Sequence, residues 1–502
     1  MTPLKHRAVA TSFIFKFPSD DTTKKPQVAL FRRSANVNTY QHKYAGISGS
    51  VEESDANPLA TAWRELEEET TLTDNSLRLF RQGKPFSFAD ESIGREWTIS
   101  PFGFILKSER DGGRGEAGIK IDWEHEGYEW FDPDLVNESD DFEGVPRILE
   151  SLRRVWFNVD LGEEAGNMLS EGLVALQNDH ESGARQLASK ALDTYIEVIK
   201  RLQINDRDQW WKNVRFAGWH LWKNGRESMG TSILNVVLSA LDSIGRTLPS
   251  DGSLTKISVD NAIGAIHKYA QDRQTTSSRT GVSFETFLEQ QFLGAKPLKI
   301  LTLSSSSTIT SAITQTLRKA SRPVEVRVLE SRPLFEGVRM AQAIASNVDE
   351  SNFKARLTLY TDASVGVAAR DVDVVLIGAD LIDKTAAVSN KVGSLPAVLT
   401  AKHVSSKAKV VALSEKEKVL PFPPPGQEEN DPQEVTQAWG ELTLCLKEGP
   451  TAQVKVKNVY FEWVSSDLID HYVTEDGVTT SEGISRHVEE IRQKADQYFT
   501  SL

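Results

Sequence analysis

Apolar and polar positions change rhythm twice along the chain. Up to about residue 150, β-like runs surround one helical segment: AVATSFIFKF, QVALFRR and EWTISPFGFILK read as strands and PLATAWRELEEET as a helix. From 151 to 292 the period lengthens, with Leu173, Leu176, Ala184, Leu187, Leu192, Ile196 and Ile199 at three- and four-residue steps, so this region is helical. From 293 to 485, apolar runs (LKILTL, VEVRVLE, ARLTLY, DVVLIGAD, KVVAL) alternate with helical stretches. Connections of that length between β runs predict a doubly wound, Rossmann-like parallel sheet covered on both faces. The proline-rich, acidic stretch at about 421–436 reads as a mobile loop inside that domain, and 486–502 as a terminal helix or tail. The fold class expected is therefore a multidomain α/β chain: an α+β unit over 1–150, a helical middle and a parallel α/β domain.

Composition narrows the classes of function. With 502 residues, 39% hydrophobic and 26% charged, the chain can bury real cores. A formal net charge of −13 disfavours a broad nucleic-acid surface but leaves small anionic ligands open. One cysteine, Cys445, excludes an intrachain disulfide and a thiolate zinc cluster and fits a reducing, cytoplasmic setting. Nowhere do about 18 apolar residues run together, so no membrane partner is expected. The nine histidines form no H-x3-H pair, and His125 and His220 sit beside aromatic residues, where packing or local hydrogen bonding is expected. QWWKNVRFAGWHLW reads as a helical core or a subunit interface.

Two stretches carry chemistry. On a helix over 58–69, Glu65, Glu68 and Glu69 share one face at i, i+3 and i+4. Such crowding marks either a solvated acidic face or a site for a hard divalent cation, Mg²⁺ or Mn²⁺, with Arg64 placed to orient one carboxylate. In the last 210 residues, polar clusters follow the predicted strands: Ser304, Ser305, Ser306 and Ser307 after LKILTL, Arg332 after VEVRVLE, Asp380 after DVVLIG, then Asn390 and Lys391. Each alone is an ordinary cap or surface pair, but strand tips converge on one crevice in open α/β sheets. Hydroxyls, amides and a guanidinium there suit a phosphate.

The first stretch resembles the Nudix hydrolase box, G-x5-E-x7-R-E-U-x-E-E-x-G-U. Arg64, Glu65, Leu66, Glu68, Glu69 and Leu72 match it, while Ser50, Ala56 and Thr71 stand at its first Gly, first Glu and last Gly. EHEGYEWFDP resembles the closing strand and turn of that fold. The resemblance implies metal-dependent cleavage of a nucleoside diphosphate derivative such as a nucleotide sugar. Glu68 and Glu69 would be the main metal ligands, and Glu65 would bind metal or activate water. The series ILTLSSSS, ESRPLFEG, LYTDAS, GADLI, NKVGS and DLIDHYVTEDG resembles the superfamily of the translation initiation factor 2B alpha, beta and delta subunits, methylthioribose-1-phosphate isomerase and ribose-1,5-bisphosphate isomerase. GRESMG resembles its arginine-bearing segment, which brings Arg226 into the phosphate-binding set. In the isomerase branches a cysteine after the first strand and the aspartate of the GAD turn move a proton between C2 and C1. Asp380 is present, but Ser304 stands at the cysteine position, and a serine hydroxyl is a poor proton carrier. The expectation is a Nudix-type hydrolase fused to a sugar-phosphate-binding, homo-oligomer-forming module. The alternatives are a non-catalytic regulatory or assembly protein that senses a phosphorylated metabolite, or a ribose phosphate isomerase.

Overall fold

The computed structural model of the protein describes residues 4–18, 25–179, 182–204, 206–249, 252–294, 296–348, 355–424, 426, 429–441 and 454–502. Cys445 lies outside them. The first sheet has eight strands: β1 (Lys5–Lys16), β2 (Gln27–Arg33), β3 (Tyr44–Ala45), β4 (Ile47–Ser50), β5 (Leu77–Gln82), β6 (Phe86–Asp90), β7 (Arg95–Leu106) and β8 (His125–Phe131). The order β3-β2-β1-β7-β5, with β4 on β1, β6 on β7 and β8 on β2, makes β1 central. Its period-2 alternation therefore feeds two cores. Ala10 and Ile14 pack with Ala62 and Leu66 of the helix Pro58–Thr70, whereas Phe13 and Phe15 pack with Leu152, Val155 and Trp156 on the other face.

Six helices of sixteen to nineteen residues form the middle: Glu163–Asn178, Ala184–Arg201, Arg207–Asn224, Gly230–Gly245, Lys256–Gln274 and Thr276–Gln291. The apolar spacing running from Leu173 to Ile199 spans two of them. The first ends at Asn178; Asp179 is extended, and its side chain accepts from the Ser182 amide at 2.9 Å. The tryptophan-rich segment is a core helix, with Trp210, Trp219 and His220 buried.

The second sheet contains β9 (Leu298–Thr302), β10 (Val324–Leu329), β11 (Ala355–Tyr360), β12 (Val374–Ile377), β15 (Lys409–Leu413), β17 (His471–Thr474) and β18 (Gly477–Thr479); β13 (Leu381–Ile382), β14 (Val388–Lys391) and β16 (Phe461–Val464) form a small third sheet. The order is β11-β10-β9-β12-β15-β17-β18, parallel until the antiparallel edge strand β18. Neighbouring residues of β9 enter different cores, Ile300 with Ile309 and Phe284, Leu301 with Val375 and Ala397. The sheet is thus covered on both faces. Strand order reverses between β9 and β12, which places the crevice of an open sheet between the turns after these strands.

The proline-rich stretch includes a short helix, Pro432–Thr436. The terminal helix Ser481–Phe499 returns to the middle region, where Phe499 stacks on Trp222 at 5.8 Å. No described helix is long and apolar enough to cross a membrane.

Candidate functional sites

The carboxylate helix starts at Asn57, whose side chain accepts from the Ala60 amide at 3.0 Å, with Pro58 in the first turn. It ends at Thr71 in the left-handed region, φ 60°, where the box has glycine. Glu65 and Glu69 turn inward, toward β4 and β8, while Glu68 stays on the surface. A Cβ on Gly49 would lie 1.8 Å from Glu65 Oε1, so only glycine lets that carboxylate cross β4. His125 Nε2 lies 2.6 Å from Glu69 Oε2, both side chains being at most 5% exposed. His125 packs against Phe31, with ring centroids 5.3 Å apart, and its hydrogen-bond partner is a candidate metal ligand. The EHEGYEWF strand carried the signal, because β8 pairs with β2 and so runs within reach of the helix end.

Arg64 donates to Asp55 through Nε at 3.3 Å and Nη2 at 3.1 Å, and to Glu68 Oε2 at 3.1 Å, and Nη1 lies 2.7 Å from Glu65 Oε1. Asp55 precedes by one residue the position where the box has its first glutamate. Its carboxylate holds the arginine, whose hydrogen bonds keep the Asp55 carboxyl well below the usual range. Asp55 was missed because the motif was read one residue later, at Ala56.

Burial first, then the charge of Glu69, pushes the Glu65 carboxyl up to about 7. Burial first, then Glu124, pushes Glu69 up to about 8. Burial lowers His125. Two buried carboxylates that repel each other, with Asp122 and Glu124 acting on one of them, are a hard-oxygen donor set suited to a divalent cation. Among the described residues, however, no three such donors converge: Glu68 is 58% exposed and paired with Arg64. A cleft of about 270 Å³ opens beside Gly49, Ser50 and Glu124. Arg7, Arg33 and Arg95 line it together with Tyr40, Phe88 and Trp97, a mixture suited to phosphates and a flat ring.

The four serines of the second site divide by alternation. Ser304 and Ser306 are half-buried and Ser305 and Ser307 exposed. Ser306 caps the helix Ser307–Lys319, its hydroxyl accepting from Ile309 N at 3.3 Å. Ser304 has φ 71°, and its amide donates to Ser331 Oγ at 2.7 Å. Ser305 and Ser307 line a separate hollow with Arg318 and Asn347. Asp362 accepts from the amides of Ser331 and Arg332 at 2.9 and 2.8 Å, so the turns after β9, β10 and β11 are tied together.

Among the described residues Arg332 Nη2 is buried without a partner, and the guanidinium lies over Phe335, 5.6 Å from the ring centroid. Lys391 is 2% exposed, 2.6 Å from Glu336 Oε2 and 4.5 Å above the Tyr460 ring. Tyr460 donates to Glu434 of the short helix in the proline-rich stretch. Asn390 donates to Ser394 Oγ at 2.8 Å. Burial raises the Asp380 carboxyl, against Lys418 and Lys391. Among the described residues no hydrogen bond links Ser304 to Asp380. Arg226 donates to the Asp179 carbonyl at 2.8 Å, a contact within the helical region that does not join it to the serine turn.

The Initiation factor 2 subunit family model matches residues 180–481, and the NUDIX domain model residues 11–152. Ribose 1,5-bisphosphate isomerase of Archaeoglobus fulgidus is 28% identical over 286 residues, 54% of this chain and 84% of its own. A putative translation initiation factor eIF-2B subunit 2-like protein of Pyrococcus furiosus is 28% identical over 181 residues, 36% of this chain and 56% of its own, so the match spans about half of that relative. Among solved structures, the tetrameric eIF2B-beta2-delta2 complex from C. thermophilum aligns at TM-score 0.48 and 14% identity, covering 67% of this chain and 97% of that one.

Proposed function

Because the chain belongs to the initiation factor 2 subunit family and carries a Nudix domain ahead of that module, we propose that it is a metal-dependent pyrophosphohydrolase fused to a sugar-phosphate-binding module. Its substrate class is a nucleoside diphosphate derivative such as a nucleotide sugar. The observation that carries this reading is the inward Glu65–Glu69 pair, with Glu69 buried and the half-buried Glu65 admitted by Gly49. Mg²⁺ or Mn²⁺, when bound, supplies charge neutralisation at the diphosphate and an activated water. Glu65 and Glu69 would hold it, with Glu68 released from Arg64 as the third carboxylate. Arg64, held by Asp55 and donating to the Ser50 carbonyl at 3.2 Å, ties the middle of the helix to β4. The cleft arginines bind the diphosphate and the aromatic side chains receive the base. Hydrolysis of ADP-ribose, NADH and nucleotide sugars with Mg²⁺ tests this: the rate falls at least tenfold in Glu69→Gln, and an unchanged rate contradicts the assignment.

For the second module the reading is binding without isomerisation. Arg332, Lys391 and Asn390 would take the phosphate and Asp380 the sugar. The supporting observation is Ser304, whose backbone is held by Ser331 and which has no hydrogen bond to Asp380. Aldose-1-phosphates followed by NMR should bind and return unconverted; ketose formation would make the module an isomerase.

A further inference from the structure

The packing of the first sheet against the helices that follow it contains a buried cation that neither site uses. Arg81 lies on β5, where the register against β7 slips between Leu79 and Arg81. Such a bulge re-aims a side chain, and here it sends the guanidinium out of the sheet and under the helix Glu163–Asn178. Arg81 is 3% exposed. It donates to two neutral oxygens, the Val155 carbonyl at 3.2 Å and Ser170 Oγ at 2.7 Å. It sits between the rings of Phe80 and Phe157, 4.1 Å from each centroid. Among the described residues no carboxylate pairs with it, and burial alone pulls its pKa down to about 9. A buried cation without a counter-charge is costly, and ring faces offset only part of that cost.

Arg81 also lines a cavity of about 410 Å³, walled by the first sheet on one side and by the helices after Trp156 on the other. That is within the usual range for a small-molecule site. Phe17, Phe80, Trp156 and Leu173 make its wall apolar and aromatic. The acids on its lining do not reach the floor: Asp134 is taken by Lys25 at 2.8 Å, and Glu163 and Glu171 are exposed at the rim. The floor thus carries the Arg81 charge below an apolar wall.

We propose that this cavity binds a small ligand in which one oxyanion is attached to a flat, apolar body, with the oxyanion on Arg81 and the body against Phe17, Phe80 and Trp156. The oxyanion is a phosphate ester, as in a nucleoside monophosphate, or a carboxylate. Because its walls come from the first sheet and from the helix Glu163–Asn178, such a ligand ties the two together.

Calorimetric titration of the full chain with adenosine monophosphate and with indole-3-acetate tests the site. Two variants remove it by different routes: Arg81→Gln deletes the anchor, and Val174→Trp fills the cavity from a rim position that is 41% exposed and outside the core. At least one probe should bind in a way that both variants weaken tenfold or more and that Glu69→Gln leaves unchanged. Binding of the monophosphate alone identifies a phosphate ester, and of indole-3-acetate alone a carboxylic acid. Binding of neither probe, or binding that survives Val174→Trp in protein with the wild-type melting temperature, overturns the proposal.

Discussion

At the residue scale, the first site turns on where three glutamates point. Helical spacing put Glu65, Glu68 and Glu69 on one face, and that much was readable in the sequence. What spacing could not carry was the split between them, because it depends on partners distant in sequence: Gly49 makes room for Glu65, His125 meets Glu69, and Arg64 keeps Glu68 outside. Gly49→Ala should therefore displace the Glu65 carboxylate and lower Mg²⁺-dependent turnover at least tenfold while circular dichroism stays unchanged. The raised carboxyl groups also set a pH dependence. Glu65 and Glu69 have folded pKa values near 7 and 8, against 4.5 for a free glutamate, so the folded state holds their protons more tightly. That contribution is complete below about pH 4.5 and is lost as pH rises through 7 to 8. Metal-free protein should melt at a lower temperature at pH 8.5 than at pH 6 through these groups, with the drop reduced in Glu69→Gln and reversed by Mg²⁺. Calorimetric melts across that range measure it.

At the element scale, the helix Pro58–Thr70 matches the segment read from the sequence, since a proline start and a regular apolar face are local signals. Its C-terminal end departs from the motif. Thr71 takes φ 60°, a conformation that is unfavourable for a β-branched residue and open to glycine. Its hydroxyl recovers one hydrogen bond, to the Gly118 carbonyl at 3.3 Å. Thr71→Gly should stabilise the N-terminal module by about 0.5–1 kcal/mol, read from denaturant titration; a destabilised variant would mean that the Gly118 contact outweighs the strain. The serine run shows the same limit of local reading. Its place after a strand was legible, but alternation along the turn turns Ser304 and Ser306 inward and Ser305 and Ser307 outward. The small sheet of β13, β14 and β16 was not read at all, because β13 has two residues and β16 joins from about seventy residues downstream of β14, a pairing that periodicity does not encode.

At the scale of the whole molecule, the rhythm of the chain made its succession of modules readable, and the seam between them was not. Asn224, at the end of a core helix, accepts from the Gln82 amide at 2.7 Å and donates to the Gln82 carbonyl at 2.9 Å, so one side chain closes the edge of β5. Nothing in the apolar pattern marks a polar residue as a strand partner 142 positions away. Asn224→Ala leaves both Gln82 groups without partners in a buried seam and should cost about 1–3 kcal/mol, seen as earlier proteolytic separation of the modules. The proposed hydrolase activity rests on the inward carboxylate pair, and one titration tests it most directly. Mg²⁺ added to wild-type and Glu69→Gln protein, in the presence of a nucleotide sugar, should give saturable hydrolysis in the first and at least tenfold less in the second. Equal hydrolysis in the two proteins, or a wild-type rate that does not respond to Mg²⁺ or Mn²⁺, contradicts it.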